Sequence, residues 1–334
     1  MKAFQIGNQQ GLDSLTATTC PDPIAGPGQV LVAPRLVSLI SRDVQLLRGV
    51  YGARQAPERI PVSEGVGDVI AVGAGVSSVK PGDRVVCGHF PNWLQGDFRP
   101  DVFAHDIGIS HDGWLAERVV LPAAAVIQVP PALADQDVAA LASAGLTAWN
   151  ALFLPRPIQR GEWILCQGTG GVSIAALQLA KAAGAHVAIT SSSDAKLARA
   201  RALGADISVN YRTDPDWPAA IRQALGGRGV DIVVDVVGAS QVETAASLLN
   251  PGGVIAAIGM LGSEFSWHLA DVGGHPVARI SVGNRAEHAA MLAFCAQHRI
   301  RPVVDAVYDL TRLADACRHL ESGEFFGKIG INLL

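Results

Sequence analysis

Hydrophobic residues in the first third of the chain occur in short runs separated by glycine and proline. The clearest runs cover residues 29–37, 65–76, 80–88 and 114–122. Short apolar runs between such breakers predict strands and tight turns rather than helices. Residues 91–110 are polar and aromatic without a regular period, which predicts a surface loop. This part of the chain is therefore predicted to form a small, mostly β or barrel-like domain.

From residue 135 onward, apolar runs alternate with segments of helical spacing, beginning with an Ala- and Leu-rich stretch at 135–153. The predicted strands that follow are 163–167, 186–190, 207–210, 231–236 and 253–258. The predicted helices between them are 172–183, 195–203, 217–224 and 241–249. Such alternation predicts parallel βαβ units with right-handed crossovers. We expect the last predicted strand, 328–333, to return to the first domain.

Composition narrows the class of protein. The chain has 334 residues, enough for two domains, and a formal net charge of −4 from 26 basic and 30 acidic residues. That balance gives no electrostatic basis for binding nucleic acid or an acidic membrane surface. The apolar runs fall short of the ~18 residues that a membrane span needs. We therefore expect a globular enzyme or binding protein whose partner is a small molecule.

Cysteine usage bears on the cellular compartment. The five cysteines are scattered and include no C-x-x-C pair, so neither a disulfide framework nor a cysteine-rich zinc knuckle is expected. Residues 1–15 lack the apolar core of a signal peptide. Both observations favour a cytoplasmic location.

The strongest chemical signal is a glycine turn, GTGGVS at 168–173, between a predicted strand and a predicted helix. Backbone amides at a helix N-terminus bind phosphate, and glycines let the phosphate approach the chain closely. The turn departs from G-x-G-x-x-G at its last position, Ser173. Its context favours a dinucleotide site, and a plain strand–helix turn is the alternative. The residues predicted to bind the pyrophosphate are Gly168, Thr169, Gly170 and Gly171, and Val172 is predicted to lie against the nicotinamide ring.

The end of the predicted strand 186–190 bears on which dinucleotide binds. NAD-binding folds usually place an acid there for the ribose hydroxyls, whereas this chain has three consecutive serines before Asp194. Small hydroxyl side chains leave room for a 2′-phosphate with a lysine nearby, which favours NADP(H) over NAD(H). The alternative is a polar turn with Asp194 capping the next helix and a solvated lysine. The residues predicted to bind the NADP(H) adenosine end are Ser191, Ser192, Lys196 and Tyr211.

Several segments together resemble the medium-chain dehydrogenase/reductase superfamily over nearly the whole chain. They include GPGQVLV at 26–32, VKPGDRV at 79–85, AGLTAW at 144–149, QGTGGV at 167–172, LGAD at 203–206 and GVDIVVD at 229–235. The resemblance implies an α/β fold in which a Rossmann doubly wound parallel sheet accompanies a GroES-like, mostly β catalytic domain. We place the catalytic domain at residues 1–124, completed by 286–334, and the Rossmann NADP-binding domain at 125–285. The resemblance also implies a homodimer.

Zinc-dependent members of that superfamily hold catalytic zinc through a Cys, a His that precedes Glu, and a later Cys or Asp. The matching positions here are Ile40, Ser63 and Ser143, which are not zinc ligands. A metal site built from Cys87, His89, His105 and His111 is the alternative, although their spacing is irregular. We expect no metal, and the sequence is similar to the zinc-free quinone oxidoreductase and enoyl reductase branch.

That branch implies catalytic residues near SLISRD at 38–43. Tyr51 matches a tyrosine that donates a proton in enoyl thioester reductases; a packing role for its ring is the alternative. Arg42 and Asp43 are predicted to shape the electrostatics of the site or to form a structural ion pair with each other. Trp93 and Trp114 are candidates for lining the substrate cleft or for plain packing.

Further cofactor contacts are expected along the Rossmann domain and beside it. Thr147 is predicted near the nicotinamide ribose, and Lys328 near the phosphates, with a solvated strand-end lysine as the alternative for Lys328. The residues predicted to cover the carboxamide are Gly259, Met260, Gly283 and Asn284. The chain is thus expected to transfer hydride to an activated carbonyl, enone or quinone without zinc. A zinc-free alcohol or aldehyde dehydrogenase and a non-catalytic, crystallin-like NADPH-binding protein are the alternatives.

Overall fold

A computed structural model describes residues 1–52, 55–259 and 270–334. The chain forms two compact units, one made of Met1–Ser143 with Gly283–Leu334 and the other of Ala144–Val282. None of the helices within the described ranges is long and apolar enough to cross a membrane.

The strands are β1 (Lys2–Gln5), β2 (Thr16–Thr19), β3 (Gln29–Leu39), β4 (Gly65–Val72), β5 (Arg84–Val86), β6 (Val119–Pro122), β7 (Ile127–Gln128), β8 (Trp163–Gln167), β9 (His186–Ser191), β10 (Ile207–Asn210), β11 (Val230–Asp235), β12 (Leu249–Ala257), β13 (Asp271–Val272), β14 (His275–Arg279), β15 (Val304–Asp309) and β16 (Lys328–Asn332). The α-helices are α1 (Ser41–Leu47), α2 (Asp135–Ala139), α3 (Leu146–Phe153), α4 (Gly171–Ala182), α5 (Asp194–Ala202), α6 (Trp217–Ala224), α7 (Ala239–Ala246), α8 (Arg285–His298) and α9 (Leu313–Ser322).

The first unit is built on a sheet with the strand order β15-β16-β3-β4-β5-β7, and β6 also pairs with β3. Strand β16 runs antiparallel to β3, with Ile329 opposite Leu39, so the end of the chain returns to the first sheet as predicted. The alternating side chains Val30 and Val32 of β3 are buried in the core of this unit, as is Val37 beyond the register shift between Pro34 and Leu36.

The segment 125–143 packs with this first sheet, whereas the sequence analysis assigned it to the Rossmann domain. Strand β7 pairs with β5, which ties the segment to the β domain. Asp135, at the start of α2, accepts hydrogen bonds from Arg35 at 2.8 Å and from Arg84 at 2.9 Å. These contacts fall on strands β3 and β5, so the compact unit extends to Ser143.

The second unit contains a sheet with the order β10-β9-β8-β11-β12-β14-β13. Neighbouring strands from β10 to β14 in this order are parallel, whereas β13 pairs antiparallel with β14. The order reverses between β8 and β11, which is the topological switch point of a doubly wound sheet. Strand β8 is buried except at its first residue, as expected for a strand covered on both faces. The predicted α/β fold class is confirmed.

Local structure differs from the predictions at the helical stretch 135–153 and at the strand 114–122, among other places. The helical stretch 135–153 is divided into α2, a π-helical turn at Leu141–Gly145, and α3. The predicted strand 114–122 is shorter, because its first half makes loop contacts instead of ladder bonds. Within it, the Trp114 amide donates to the Val62 carbonyl at 2.8 Å and the Glu117 amide donates to the Lys2 carbonyl at 3.0 Å.

Candidate active site

The glycine turn lies at the carboxyl end of β8, beside the switch point of the parallel sheet. Gly168 adopts φ +75°, and its amide donates to the Thr190 carbonyl at 2.8 Å, which joins the ends of β8 and β9. A Cβ atom placed on Gly168 or on Gly170 would meet no atom within 4 Å. The turn therefore presents open space in front of the first amides of α4, which fits a dinucleotide pyrophosphate.

Ser173 occupies the position of the third glycine of the fingerprint. Its hydroxyl donates to the Gln167 carbonyl at 2.7 Å, and its side chain is buried. The small Ser173 side chain thus packs inside the turn. Although Ser173 departs from the glycine pattern, the open space at Gly168 and Gly170 remains.

The end of β9 carries hydroxyl groups, as the sequence indicates. Ser191 is buried, and its Oγ accepts a hydrogen bond from the Ser193 amide at 3.3 Å. Ser193 is the N-cap of α5, with Oγ accepting from the Lys196 amide at 3.4 Å. The alternative in which Asp194 caps this helix is wrong, because Asp194 lies in the first turn and accepts from Asn210 Nδ2 at 2.9 Å.

The other predicted contacts to the adenosine end lie on the same edge of the sheet. Tyr211 directly follows β10, its ring is 43% exposed, and its amide donates to the Ser191 carbonyl at 3.1 Å. Ser192 and Lys196 are half-buried, on the turn and in the first helical turn that follow β9. These residues follow the ends of β9 and β10, and NAD-binding folds carry an acid at the end of the strand equivalent to β9.

The predicted nicotinamide-side residues have mixed outcomes. Thr147 is buried on α3, and Gly259 is buried just after β12. Met260 lies outside the described residues. Gly283 is buried, and Asn284 caps α8, with Oδ1 accepting from the Glu287 amide at 2.9 Å and Nδ2 donating to the Gly96 carbonyl at 3.2 Å.

The first unit contains a buried group of charged side chains at the start of α1. Arg42 donates to both carboxylate oxygens of Asp106, at 2.8 and 2.9 Å, and to the Ile107 carbonyl at 3.0 Å. The predicted ion pair between Arg42 and Asp43 is therefore wrong. Asp43 instead accepts a hydrogen bond from the Ile40 amide at 2.8 Å, as the third residue of a helix-capping arrangement.

Asp43 and Tyr51 both face the Arg42 charge. Burial raises the pKa of Asp43 to about 6, although the positive charges of Arg42 and Lys328 oppose that rise. The Arg42 guanidinium carbon lies 5.9 Å from the centre of the Tyr51 ring. Tyr51 is half-buried, so it combines a ring contact with partial access to solvent.

Lys328 and Glu64 form a buried ion pair at the start of β16. The Lys328 ammonium is 2.5 Å from Oε1 of Glu64 and donates to the Leu39 carbonyl at 2.6 Å. The Ser143 amide donates to Oε2 of Glu64 at 2.6 Å. Burial raises the pKa of Glu64, and the ammonium of Lys328 opposes that rise. The solvated alternative for Lys328 is wrong, and its ammonium is engaged by protein groups rather than directed at phosphate.

Ser63 and His89 form a second buried polar pair. Ser63 Oγ lies 3.2 Å from His89 Nε2, and the exposed fractions of the two side chains are 0% and 2%. Burial, reinforced by the nearby charges of Arg42 and Lys328, holds the pKa of His89 well below its ordinary value. His89 is therefore a neutral imidazole near physiological pH, able to donate through one ring nitrogen and accept through the other.

These side chains do not fit a catalytic zinc. Ile40, Ser63 and Ser143 supply neither thiolate nor imidazole, and the Glu64 carboxylate is held by Lys328 and by the Ser143 amide. The residues of the alternative cluster are divided between interior and surface, since Cys87 and His89 are buried whereas His105 and His111 are exposed. Cys87 is buried, and burial raises the pKa of its thiol to about 12. Across the described ranges, the side chains form no group of three or more His, Cys, Asp or Glu that could hold a metal ion.

Trp93 and Trp114, the candidates for lining a substrate cleft or for packing, are both buried. Trp114 is fully buried, against Gly65. Trp93 is buried, with its ring 5.6 Å from that of Phe98 and its Nε1 donating to the Gly96 carbonyl at 2.9 Å. An aromatic cluster thus orders part of the predicted loop 91–110, and residues Pro100–His105 form a 3₁₀ helix.

The backbone is strained at Val62, a feature that the sequence does not indicate. Val62 adopts φ +72°, a left-handed conformation that costs a β-branched residue energy, directly before Ser63 and Glu64. The Val62 carbonyl accepts from the Trp114 amide at 2.8 Å, which helps to hold the strained turn. The sequence indicates His89 only as a possible metal ligand and Glu64 only as the neighbour of Ser63, because it does not show that both side chains are buried.

A doubly wound sheet that carries a glycine turn at its switch point, in one chain with a GroES-like β unit, defines a class of nicotinamide-dependent oxidoreductases. The family model for the alcohol dehydrogenase GroES-like domain matches residues 26–131, and that for zinc-binding dehydrogenase matches residues 171–297. The zinc-type alcohol dehydrogenase-like protein C1773.06c of Schizosaccharomyces pombe is 36% identical over 92% of this chain and 91% of its own length. The chain belongs to the medium-chain dehydrogenase/reductase superfamily, and the predicted resemblance is confirmed.

Solved structures in the same superfamily include both NAD-dependent and NADPH-bound proteins. An NAD-dependent alcohol dehydrogenase has a TM-score of 0.88 and 32% identity, with both chains fully covered. The mycobacterial protein Rv1454c, in complex with NADPH, has a TM-score of 0.82 and 26% identity over 99% of this chain and 100% of its own. A quinone oxidoreductase from Coxiella burnetii has a TM-score of 0.84 and 25% identity over 100% of this chain and 99% of its own.

Proposed function

We propose that this chain is a zinc-independent, NADP(H)-dependent oxidoreductase that reduces an activated carbonyl, enone or quinone. The observation that carries the proposal is the chemistry at Ile40, Ser63 and Ser143, none of which offers a ligand that zinc prefers. Without a Lewis acid, reduction of a simple ketone is difficult because negative charge builds up on one oxygen. A conjugated acceptor spreads that charge, so hydrogen-bond donors of the protein suffice.

The preference for NADP(H) rests on the end of β9. Ser191 is buried where NAD-binding folds carry an acid, and Lys196 lies in the first turn of the helix that follows. A carboxylate at this position would repel a 2′-phosphate, whereas hydroxyl groups can donate hydrogen bonds to the phosphate oxygens. The NADPH complex of Rv1454c supports this cofactor within the superfamily.

Each side chain near Arg42 has a distinct part in the proposed reaction. When bound, the nicotinamide supplies a hydride, and with it two electrons, to the acceptor carbon. Tyr51 donates its phenolic proton toward the negative charge that develops on the acceptor, and solvent returns that proton. The fixed positive charge of Arg42, 5.9 Å from the Tyr51 ring, stabilises the phenolate that is formed in passing. Asp106 holds the guanidinium in place through two hydrogen bonds.

The test is a cofactor titration followed by an acceptor panel. Binding of NADPH and NADH is measured by fluorescence, and oxidation of each is followed with naphthoquinone, cyclohexenone, cinnamaldehyde, cyclohexanone and hexanal. The proposal expects tighter binding of NADPH and turnover only with the three conjugated acceptors. Dialysis against a chelator, checked by elemental analysis, is expected to leave the rates unchanged.

Other outcomes identify the alternatives. Turnover of saturated alcohols or aldehydes without a need for conjugation would indicate an alcohol dehydrogenase-like enzyme, as the names of several relatives suggest. Tight NADPH binding without hydride transfer to any acceptor would indicate a non-catalytic binding protein. Loss of activity on chelation, with recovery on adding zinc, would overturn the zinc-independent mechanism.

A further inference from the structure

The buried pair of Ser63 and His89 has no part in the proposed role of Tyr51. His89 Nε2 is 3.2 Å from Ser63 Oγ, and Nδ1 of the same ring has no hydrogen-bond partner among the described residues. Buried polar atoms in native proteins are nearly always satisfied, so an unpaired ring nitrogen requires an explanation. A ligand atom that reaches the ring is one such explanation.

The surroundings of His89 determine what kind of atom would bind. Arg42 and Lys328 place positive charge near the ring, and burial further disfavours its protonation, so the ring is neutral. His288 lies close by on α8; burial and the charge of Arg285 lower its pKa to about 4, so it is neutral as well. The positive charges of Arg42 and Lys328 favour an oxygen that carries partial negative charge.

From this geometry we infer that His89 is a further catalytic residue, whose Nδ1–H donates a hydrogen bond to the reducible oxygen of a conjugated carbonyl or quinone. Ser63 is the positioning residue: its hydroxyl donates to Nε2 and thereby places the ring proton on Nδ1. The inference rests on the proposed function, since the oxygen concerned is that of the proposed acceptor. No proton leaves His89 in this role; the ring stabilises the negative charge that hydride addition creates.

The position of Ser63 adds a second argument. It directly precedes Glu64, where the resemblance places the histidine ligand of zinc-dependent members, and Ser143 is hydrogen-bonded to the same glutamate. In those enzymes the metal polarises the substrate oxygen. Here a neutral imidazole, supported by a serine at that very position, takes over the polarising role.

The test exploits the different shapes of Asn and Gln. His89→Asn keeps an amide nitrogen close to the position of Nδ1, whereas His89→Gln keeps one close to Nε2 and His89→Phe keeps neither. We expect kcat/KM for cyclohexenone to fall about 100-fold in the Gln and Phe variants, as for loss of one oxyanion donor, and less than about tenfold in the Asn variant. The NADPH Kd should stay unchanged in all three variants. His105→Asn, an exposed histidine of the same segment, is the matched control.

Ser63 is tested by its conservative variant and by spectroscopy. Ser63→Ala should lower kcat, while Ser63→Thr, which keeps the hydroxyl, should restore it. Ring ¹⁵N NMR of His89 should show the Nδ1–H tautomer in the wild type, with a shift when cyclohexenone is added to the NADP⁺ complex. In Ser63→Ala that tautomer preference should be lost.

The outcomes separate this inference from the proposed function. If the wild type reduces cyclohexenone with NADPH but His89→Gln matches its rate, the role of His89 is overturned and the proposed function stands. Equal losses in the Asn and Gln variants would also overturn it, since they would indicate packing rather than donation. If the wild type reduces no conjugated acceptor, both the proposed function and the role of His89 fail.

Discussion

The ammonium of Lys328 lies 2.5 Å from a carboxylate oxygen of Glu64, and both side chains are buried. Lys328 begins β16, near the end of the chain, and Glu64 directly precedes β4. The same cluster includes the Leu39 carbonyl and the Ser143 amide, so four distant parts of the sequence meet at one pair of charges. Through this pair, the segments that carry Ile40, Ser63 and Ser143 are held together.

Removal of one partner of this ion pair is expected to destabilise the protein. Lys328→Met leaves the Glu64 carboxylate buried without its counter-charge, which costs about 3–5 kcal/mol of unfolding free energy. The double variant Glu64→Gln/Lys328→Met should recover much of that loss, because it buries no charge. Urea denaturation of the three proteins checks the prediction. Asp315→Ala, which removes the exposed pairs with Arg312 and Arg318, should change stability little.

A second prediction concerns the pH dependence of stability. Burial raises the pKa of Asp43 from 3.8 to about 6 in the folded state, although the charges of Arg42 and Lys328 lower it and that of Glu64 raises it further. The favourable contribution of the neutral carboxyl is complete below the unfolded pKa and is lost as the pH rises through about 6. Asp43→Asn keeps an oxygen for the Ile40 amide and does not titrate. Relative to this variant, the wild type should therefore lose about 2 kcal/mol between about pH 4 and pH 7.

Denaturation curves of both proteins at several pH values measure that difference directly. Titrations elsewhere in the chain are common to the two proteins and cancel in the comparison. A difference that stays constant across this pH range would show that Asp43 has an ordinary pKa in the folded state.

Local patterns predicted the Rossmann-like unit well because each of its elements has a strong period of its own. Strands β8 and β10 and helix α6 have the predicted boundaries, and the glycine turn lies where the strand–turn–helix pattern placed it. Hydrophobic strands buried on both faces and helices between them leave few alternatives.

The buried polar cluster could not be predicted in the same way, because its members come together only through long-range contacts. Arg42 and Asp43 are adjacent in sequence, yet Arg42 binds Asp106, 64 positions away. Lys328 and Leu39 are 289 positions apart. Sequence spacing reports neighbours along a helix or strand, and these pairs depend on sheet register and loop packing instead.

Gly170→Ala should weaken cofactor binding without harming the fold. Gly170 has an ordinary φ of −78° as the N-cap of α4, and a Cβ atom there would meet nothing within 4 Å. The added methyl group would occupy the space that a pyrophosphate needs, so the NADPH Kd should rise at least about tenfold. Gly168→Ala is the matched comparison, since its φ of +75° adds a backbone cost of about 1–2 kcal/mol. Isothermal titration and denaturation together distinguish the two effects; unchanged NADPH affinity in both variants would mean that the turn holds no phosphate.

Ser191→Asp should shift the cofactor preference toward NADH. An acid at the end of β9 accepts hydrogen bonds from the ribose hydroxyls of NADH and repels the 2′-phosphate of NADPH. We expect the ratio of NADPH to NADH affinity to fall by about 100-fold, most of it through weaker NADPH binding. Ser191→Asn has the same size without the charge and should leave the preference close to that of the wild type. An equal change in both variants would indicate a steric effect on the buried position rather than recognition of the phosphate.

Tyr51→Phe separates proton donation from packing. Phenylalanine keeps the ring that lies 5.9 Å from the Arg42 guanidinium carbon, so stability and NADPH affinity should be nearly unchanged. Loss of the hydroxyl removes the proposed proton donor, and kcat with cyclohexenone should fall about 100-fold or more. Tyr308→Phe serves as the control, because Tyr308 lies on the edge strand β15 and its hydroxyl contacts His319 Nδ1 at 3.1 Å. A wild-type rate in Tyr51→Phe would show that the Tyr51 ring has only a packing role. The negative charge on the acceptor would then have to be stabilised by other buried donors of the first unit.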